Sequence, residues 1–206
     1  GENLSPEFLA LNDRGKVPVL RLEDGRTLSE SNAILNYLAQ GTRLLPDDPW
    51  GRAKTLQWMF FEQYSHEPYI ATARFWHHAG MIEAKRDQLA ERMERGYAAL
   101  AVMESHLREH DFFVASRYSI ADIANWAWVR THDRSGVSID DLPHLGRWVT
   151  QLAARPACQR GAEVPAGHIM PLDGSGTEKF VAEARKMVTG SSTASRSDEG
   201  SAAKRA

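Results

Sequence analysis

Over most of the chain the apolar residues recur every three to four positions, and only near the start do they form a short β-rich run. Leu89, Met93, Tyr97, Leu100, Met103 and Leu107 hold that spacing for about five turns and predict one long amphipathic helix. Asp48 and Pro49, an N-cap followed by proline at the first helical position, start an aromatic-rich helix through Trp58, Met59, Phe60, Phe61 and Tyr64. Pro68 predicts a kink in it, because proline removes a helical hydrogen bond. Ser119 and Asp122 have the spacing of a reciprocal cap, with Tyr118 and Ile123 placed for a hydrophobic staple across it. Pro143 opens a further helix with Leu145, Trp148, Val149 and Leu152 inward, closing near Arg155 and Pro156.

The start of the chain reads differently. Residues 5–11 predict a short helix capped by Ser5, with Pro6 at its first position. Residues 17–22 predict a strand, Asp24-Gly25 a hairpin turn, and Thr27-Leu28 the return strand. Pro18 cannot donate to a sheet ladder, so it belongs at an edge or in a special turn. From Ser29 the pattern turns helical, with Ala33, Ile34, Tyr37 and Leu38 on one face and Gly41 as the stop. The predicted fold class is α+β: a small β-containing domain over 1–41, a linker over 42–48, and an all-α helical bundle over 49–172. Residues 173–206 form an extension, with a loose amphipathic helix over 177–188. No Val, Leu, Ile, Met or aromatic residue follows Val188, so 189–206 are expected to stay disordered.

Composition narrows the class without choosing a function. The 206 residues carry 25 Lys+Arg and 27 Asp+Glu, a formal charge of −2, so no electrostatic footprint points to nucleic acid or an anionic membrane. No apolar run approaches the ~20 residues of a membrane-spanning helix. Cys158 is the one cysteine, which excludes an intrachain disulfide and points to a reducing, cytoplasmic setting. It reads as a small buried hydrophobe. His66-Glu67 begins like a zinc-protease motif, but Pro68 follows and Ile70 stands where the second histidine is needed. His77 and His78 are adjacent and point about 100° apart on a helix, so no metal site is assigned.

The informative stretch is 16–34. A proline within a strand can hold a cis bond, which would turn the N–H and C=O of Val17 outward, free to pair with an extended peptide. Glu30-Ser31 stands where a strand ends and a helix begins. The Ser31 hydroxyl and nearby amides suit a carboxylate and Glu30 suits an ammonium, together a receptor for an amino-acid head group. The alternative is a helix cap with an acidic first turn.

ENLSPEFLALN, GKVPVL, the Asp24-Gly25 turn, SESNAILNYLA, and later YSIADIA with a downstream Arg-Pro agree in order and spacing over roughly 2–170. Together they resemble the cytosolic glutathione transferases, especially bacterial ones. The resemblance implies a thioredoxin-like domain that binds glutathione as co-substrate, joined to a helical domain that supplies the pocket for a small apolar electrophile. It implies that Val17, before a cis Pro18, pairs with the cysteinyl part of glutathione. It also implies that Glu30 and Ser31 hold the γ-glutamyl head and that Lys16 reaches the glycyl end. Ser119 and Asp122 are structural in this family.

The family's first domain opens with a strand, a helix and a second strand, and the resemblance begins after them. The chain opens on Gly1 rather than Met, so its natural start is expected upstream. No catalytic residue is therefore assigned, since the thiol-activating Tyr, Ser or Cys sits at the end of that first strand. The strand over 17–22 is expected to present an unpaired edge, and turnover is expected to be weak. Where the family has Gly-Asp or Gly-Glu before its cap, Ala115-Ser116 stands here. The expected activity is conjugation of the glutathione thiol. The competing expectation is a non-catalytic binding or scaffolding module of the same family. For the electrophile pocket the expected aromatic residues are Tyr64, Tyr69, Phe75 and Trp76, and the resemblance implies a homodimer, to which the aromatic surplus around Trp50, Trp58, Phe60 and Phe61 adds a little.

Overall fold

The computed structural model describes residues 1–114 and 116–164. The expected end of the helical domain at 172, the 177–188 helix and the disorder beyond it lie outside the described residues. A short β/α part precedes a body of helices. No helix among the described residues is long and apolar enough to cross a membrane.

A 3-10 turn, Glu2–Leu4, leads into α1 (Pro6–Leu9), where the Ser5 hydroxyl accepts the Phe8 N–H at 3.3 Å. The strands β1 (Val19–Arg21) and β2 (Thr27–Ser29) pair antiparallel, Leu20 opposite Leu28. Their turn is one residue longer than the Asp24-Gly25 pair predicts. Leu22 N–H bonds the Arg26 carbonyl at 2.9 Å, Gly25 N–H bonds the Leu22 carbonyl at 3.0 Å, and Gly25 takes φ 87°. That is a three-residue hairpin with glycine at the left-handed position. The strand is also shorter than 17–22. The Val17–Pro18 peptide is cis, and the ladder starts only at Val19. α2 (Ser31–Leu38) follows, with Gly41 at φ 70° after it.

The helical body begins with α3 (Pro49–Phe61), whose Asp48 carboxylate accepts the Gly51 N–H at 2.7 Å. A π-helical turn, Glu62–His66, carries the chain into α4 (Glu67–His78). The irregularity falls a turn before Pro68 rather than as a kink at it. Pro68 has no N–H to give and its ring crowds the preceding turn, and the wider π turn absorbs both. α5 (Arg86–Leu107), α6 (Ile120–Val129), α7 (Pro143–Ala153) and a short α8 (Pro156–Ala162) complete the body. α8 restarts where the α7 pattern predicts only a stop.

The core explains these elements. Leu145, Trp148 and Leu152, one face of α7, are fully buried against Met103 and Leu107 of α5 and Phe113. Burial of each such side chain contributes about 1.5–3 kcal/mol. The Asp122 carboxylate, also fully buried, accepts from the Ser119 N–H (2.9 Å), the Ser119 hydroxyl (3.1 Å), the Phe113 N–H (3.1 Å) and the Trp148 indole (3.0 Å). Tyr118 and Ile123 do not staple this cap. Tyr118 packs in the main core, its hydroxyl 3.4 Å from the buried Cys158 sulfur, while Ile123 joins a second cluster. That cluster (Ala39, Leu45, Met59, Ile120, Ala124, with Leu35) fastens α2 and the linker to α3 and α6.

Candidate functional site

The β/α part and the helical body enclose an open cavity of about 530 Å³. Four walls meet there. The loop before β1 brings Lys16, Val17 and Pro18. The entry to α2 brings Glu30, Ser31 and Asn32. The π turn and α4 bring Glu62, Gln63, Glu67 and Arg74. α6 brings Ile123, Ala127 and Trp128.

The loop is held from below by two asparagines. Asn3 donates to the Gly15 carbonyl and Asn12 to the Lys16 carbonyl, both at 2.7 Å, with Gly15 at φ 59°. Val17 is 71% exposed and makes no backbone hydrogen bond among the described residues. Its amide and carbonyl are unpaired donor and acceptor at the cavity wall.

Glu30 takes φ 71°, ψ 113°, a conformation that L residues rarely adopt and that clusters at functional sites. The surroundings fix it. Its carbonyl accepts the Ile34 N–H at 3.0 Å and its carboxylate takes Arg14 at 2.7 Å. Both charges of that pair are more than half exposed, so the pair itself contributes little. Ser31 opens α2, which has no side-chain cap, so the first amides of the helix remain available.

Behind Ser31 the site becomes acidic and buried. Asn32 donates to the Met59 carbonyl at 3.0 Å and to the Glu62 carboxylate at 2.9 Å, which also accepts from Gln63 at 3.0 Å. Glu62 is 2% exposed, and burial pushes its carboxyl above the usual range. Burial raises Glu67 as well. Two turns along α4 from Glu67, burial and the nearby Arg134 and Arg130 lower the Arg74 guanidinium.

Lys16, Val17, Glu30 and Ser31 are thus brought together in one cavity. The four aromatic residues read as its apolar wall are not. Tyr64 is 82% exposed, with Phe60, on an outer surface. Tyr69 lies under the Arg92 and Arg95 guanidiniums, Trp76 is in the core, and Phe75 points elsewhere on α4. The cavity face of α4 carries Glu67 and Arg74, seven residues apart, and the aromatic wall is Trp128 of α6. The signal for Trp128 was present: Ile123, Ala124, Ala127 and Trp128 make an apolar arc of α6 that continues round from the buried Ala121, Asn125 and Val129. A helix apolar over so wide an arc has two neighbours to cover. Asn32, Glu62 and Arg74 had no local signal, because their partners are distant in sequence.

Two family models match the chain: "Glutathione S-transferase, N-terminal domain" over residues 1–40 and "Glutathione S-transferase, C-terminal domain" over 57–156. The chain belongs to the glutathione S-transferase family. Its fold is that family's, a short two-stranded β/α part followed by the helical domain. A glutathione S-transferase of Pseudomonas fluorescens superposes with a TM-score of 0.73 at 46% identity, covering 76% of this chain and 78% of that one. A Burkholderia graminis glutathione transferase with two glutathione molecules bound per subunit superposes at 0.72 with 32% identity, covering 81% and 74%. Among curated relatives, the Escherichia coli disulfide-bond oxidoreductase YfcG is 31% identical, with 76% of each chain aligned. The cavity described above is lined by residues of both matched stretches.

Proposed function

We propose that this glutathione S-transferase family member binds glutathione in the cavity and conjugates its thiol to a small electrophile. The observation that carries the reading is the convergence of three receptors of the right chemistry on one wall. Glu30 supplies a carboxylate for the γ-glutamyl ammonium. Ser31 and the uncapped amides of α2 supply donors for the α-carboxylate. Val17 supplies an unpaired N–H and C=O for the cysteinyl backbone, and Lys16 a cation for the glycyl carboxylate. The glutathione bound in relatives supports the same reading.

A free thiol near pKa 8.5 is mostly protonated at pH 7. The cations around the cavity, Lys16, Arg14 and Arg74, favour the thiolate, and holding an acceptor beside it converts a bimolecular step into a local one. A second reading is glutathione binding without turnover, in a binding or scaffolding module. The setting is cytoplasmic and the protein a homodimer, supported by the exposed aromatics Trp50 (75%), Phe60 (68%) and Tyr64 (82%).

Retention on immobilised glutathione with elution by free glutathione tests the binding. Passage through the column overturns it. Conjugation of a chromogenic electrophile then separates the two readings, since a retained protein without turnover is the binding module.

A further inference from the structure

We propose that the end of the cavity between α4 and α6 is an anion subsite with Arg74 as its ligand-binding residue. The acceptor it takes then carries a carboxylate or similar oxyanion on an aromatic body. The proposal rests on glutathione occupying the opposite wall.

Arg74 is half-buried in the cavity wall. Its Nη1 gives one long hydrogen bond, 3.3 Å, to the Thr131 hydroxyl. No carboxylate among the described residues lies within 4 Å of it. The charges that act on it are mostly of its own sign: Arg130 and Arg134 oppose it and Asp133 alone favours it. The acids of the cavity do not neutralise it. Glu62 is occupied by Asn32 and Gln63, and Glu67 stands two helical turns away, about 10 Å along α4.

A half-buried guanidinium that spends one long hydrogen bond on the protein turns its remaining N–H groups toward the open cavity, where a ligand can take them. A planar oxyanion satisfies it with paired hydrogen bonds, the geometry for which arginine is suited. The Trp128 ring lies 5.8 Å from the Arg74 guanidinium carbon and also lines the cavity. An aromatic body stacked there delivers its carboxylate to Arg74. The subsite therefore departs from the wholly apolar acceptor expected from the sequence.

Two conjugates that share the glutathione part test this by calorimetry on the full chain: S-benzylglutathione and S-(4-carboxybenzyl)glutathione. The carboxylated conjugate is expected to bind about tenfold more tightly or better. Arg74→Met is expected to bring the ratio of the two affinities to about one, and Arg74→Lys to keep part of it. Equal affinities in the parent protein, or a ratio that survives Arg74→Met, overturn the anion subsite while leaving glutathione binding intact. Failure of both conjugates and of glutathione itself to bind overturns the glutathione reading, and the subsite with it. The comparison in the parent protein stands even where a variant does not fold.

Discussion

Asn32, in the first turn of α2, donates one side-chain amide to the Glu62 carboxylate at 2.9 Å and to the Met59 carbonyl at 3.0 Å, tying the β/α part to the helical body behind Ser31. Asn32 is half-buried but Glu62 is 2% exposed, so losing the tie leaves a desolvated carboxylate short of a donor. Asn32→Ala is expected to cost about 1.5–3 kcal/mol in urea unfolding and to weaken glutathione binding by loosening α2. Asn32→Asp sets two carboxylates against each other. Since burial already raises Glu62, a second charge raises it further, and the stability of Asn32→Asp relative to the parent falls as pH rises through that raised pKa. Urea midpoints at pH 5 and pH 7 read this directly, and a variant equally stable relative to the parent at both contradicts the tie.

Glu30→Ala and Ser31→Ala each remove one half of the proposed head-group receptor. Each is expected to weaken glutathione binding about tenfold or more, the worth of a hydrogen bond to a charged group. Isothermal titration is the measurement. Unchanged affinity in both variants removes these residues from the site, and the strained backbone of Glu30 would then need another explanation.

His66 lies in the π turn, 1% exposed, its Nδ1 without a partner among the described residues, and burial lowers its pKa to about 4. The unfolded chain takes up a proton near pH 6.5, the folded one only near pH 4. Above pH 6.5 both forms are neutral and the group contributes no pH dependence. Between pH 6.5 and 4 the unfolded state binds more protons, so stability falls on acidification by about 3 kcal/mol in total. His66→Gln is expected to flatten that slope. Glu62 and Asp122, both raised by burial, act in the opposite sense and cancel in the difference between parent and variant. Parallel pH profiles for the two proteins would show that His66 is not the titrating group.

Asp122→Ala strands two buried backbone amides and the Trp148 indole together, and is expected to destabilise by about 3 kcal/mol or more. Ser119→Ala is expected to cost only about 1 kcal/mol, because the Ser119 amide keeps its acceptor. Equal losses in the two variants would place the energy in the local cap rather than in the carboxylate that joins α6 to α7.

Phe60, 68% exposed on the outer face of α3, is expected to lie in a two-fold interface. Light scattering at micromolar concentration is expected to return a dimer for the parent and a shift toward monomer for Phe60→Asp. A monomeric parent overturns the interface.

Features that depend on neighbours along the chain were legible without a structure. The Ser5, Asp48 and Ser119 helix starts are local, because a cap is made within three residues. The inward face of α7 is legible because burial imposes its period on the sequence. Lys16, Val17, Glu30 and Ser31 were joined as one group by the family resemblance, and the short hairpin between them is what sets them on one cavity. What the sequence could not decide was every pairing across elements. The start of α7 has no local cap. Glu104, some forty residues earlier on α5, accepts the Leu145 amide at 2.8 Å. The irregularity fell in the π turn before Pro68, and on α4 Arg74 rather than Tyr69 or Trp76 faces the cavity. Periodicity reports which face of a helix is apolar, but which neighbour that face meets is set by packing, and only the tertiary structure fixes it.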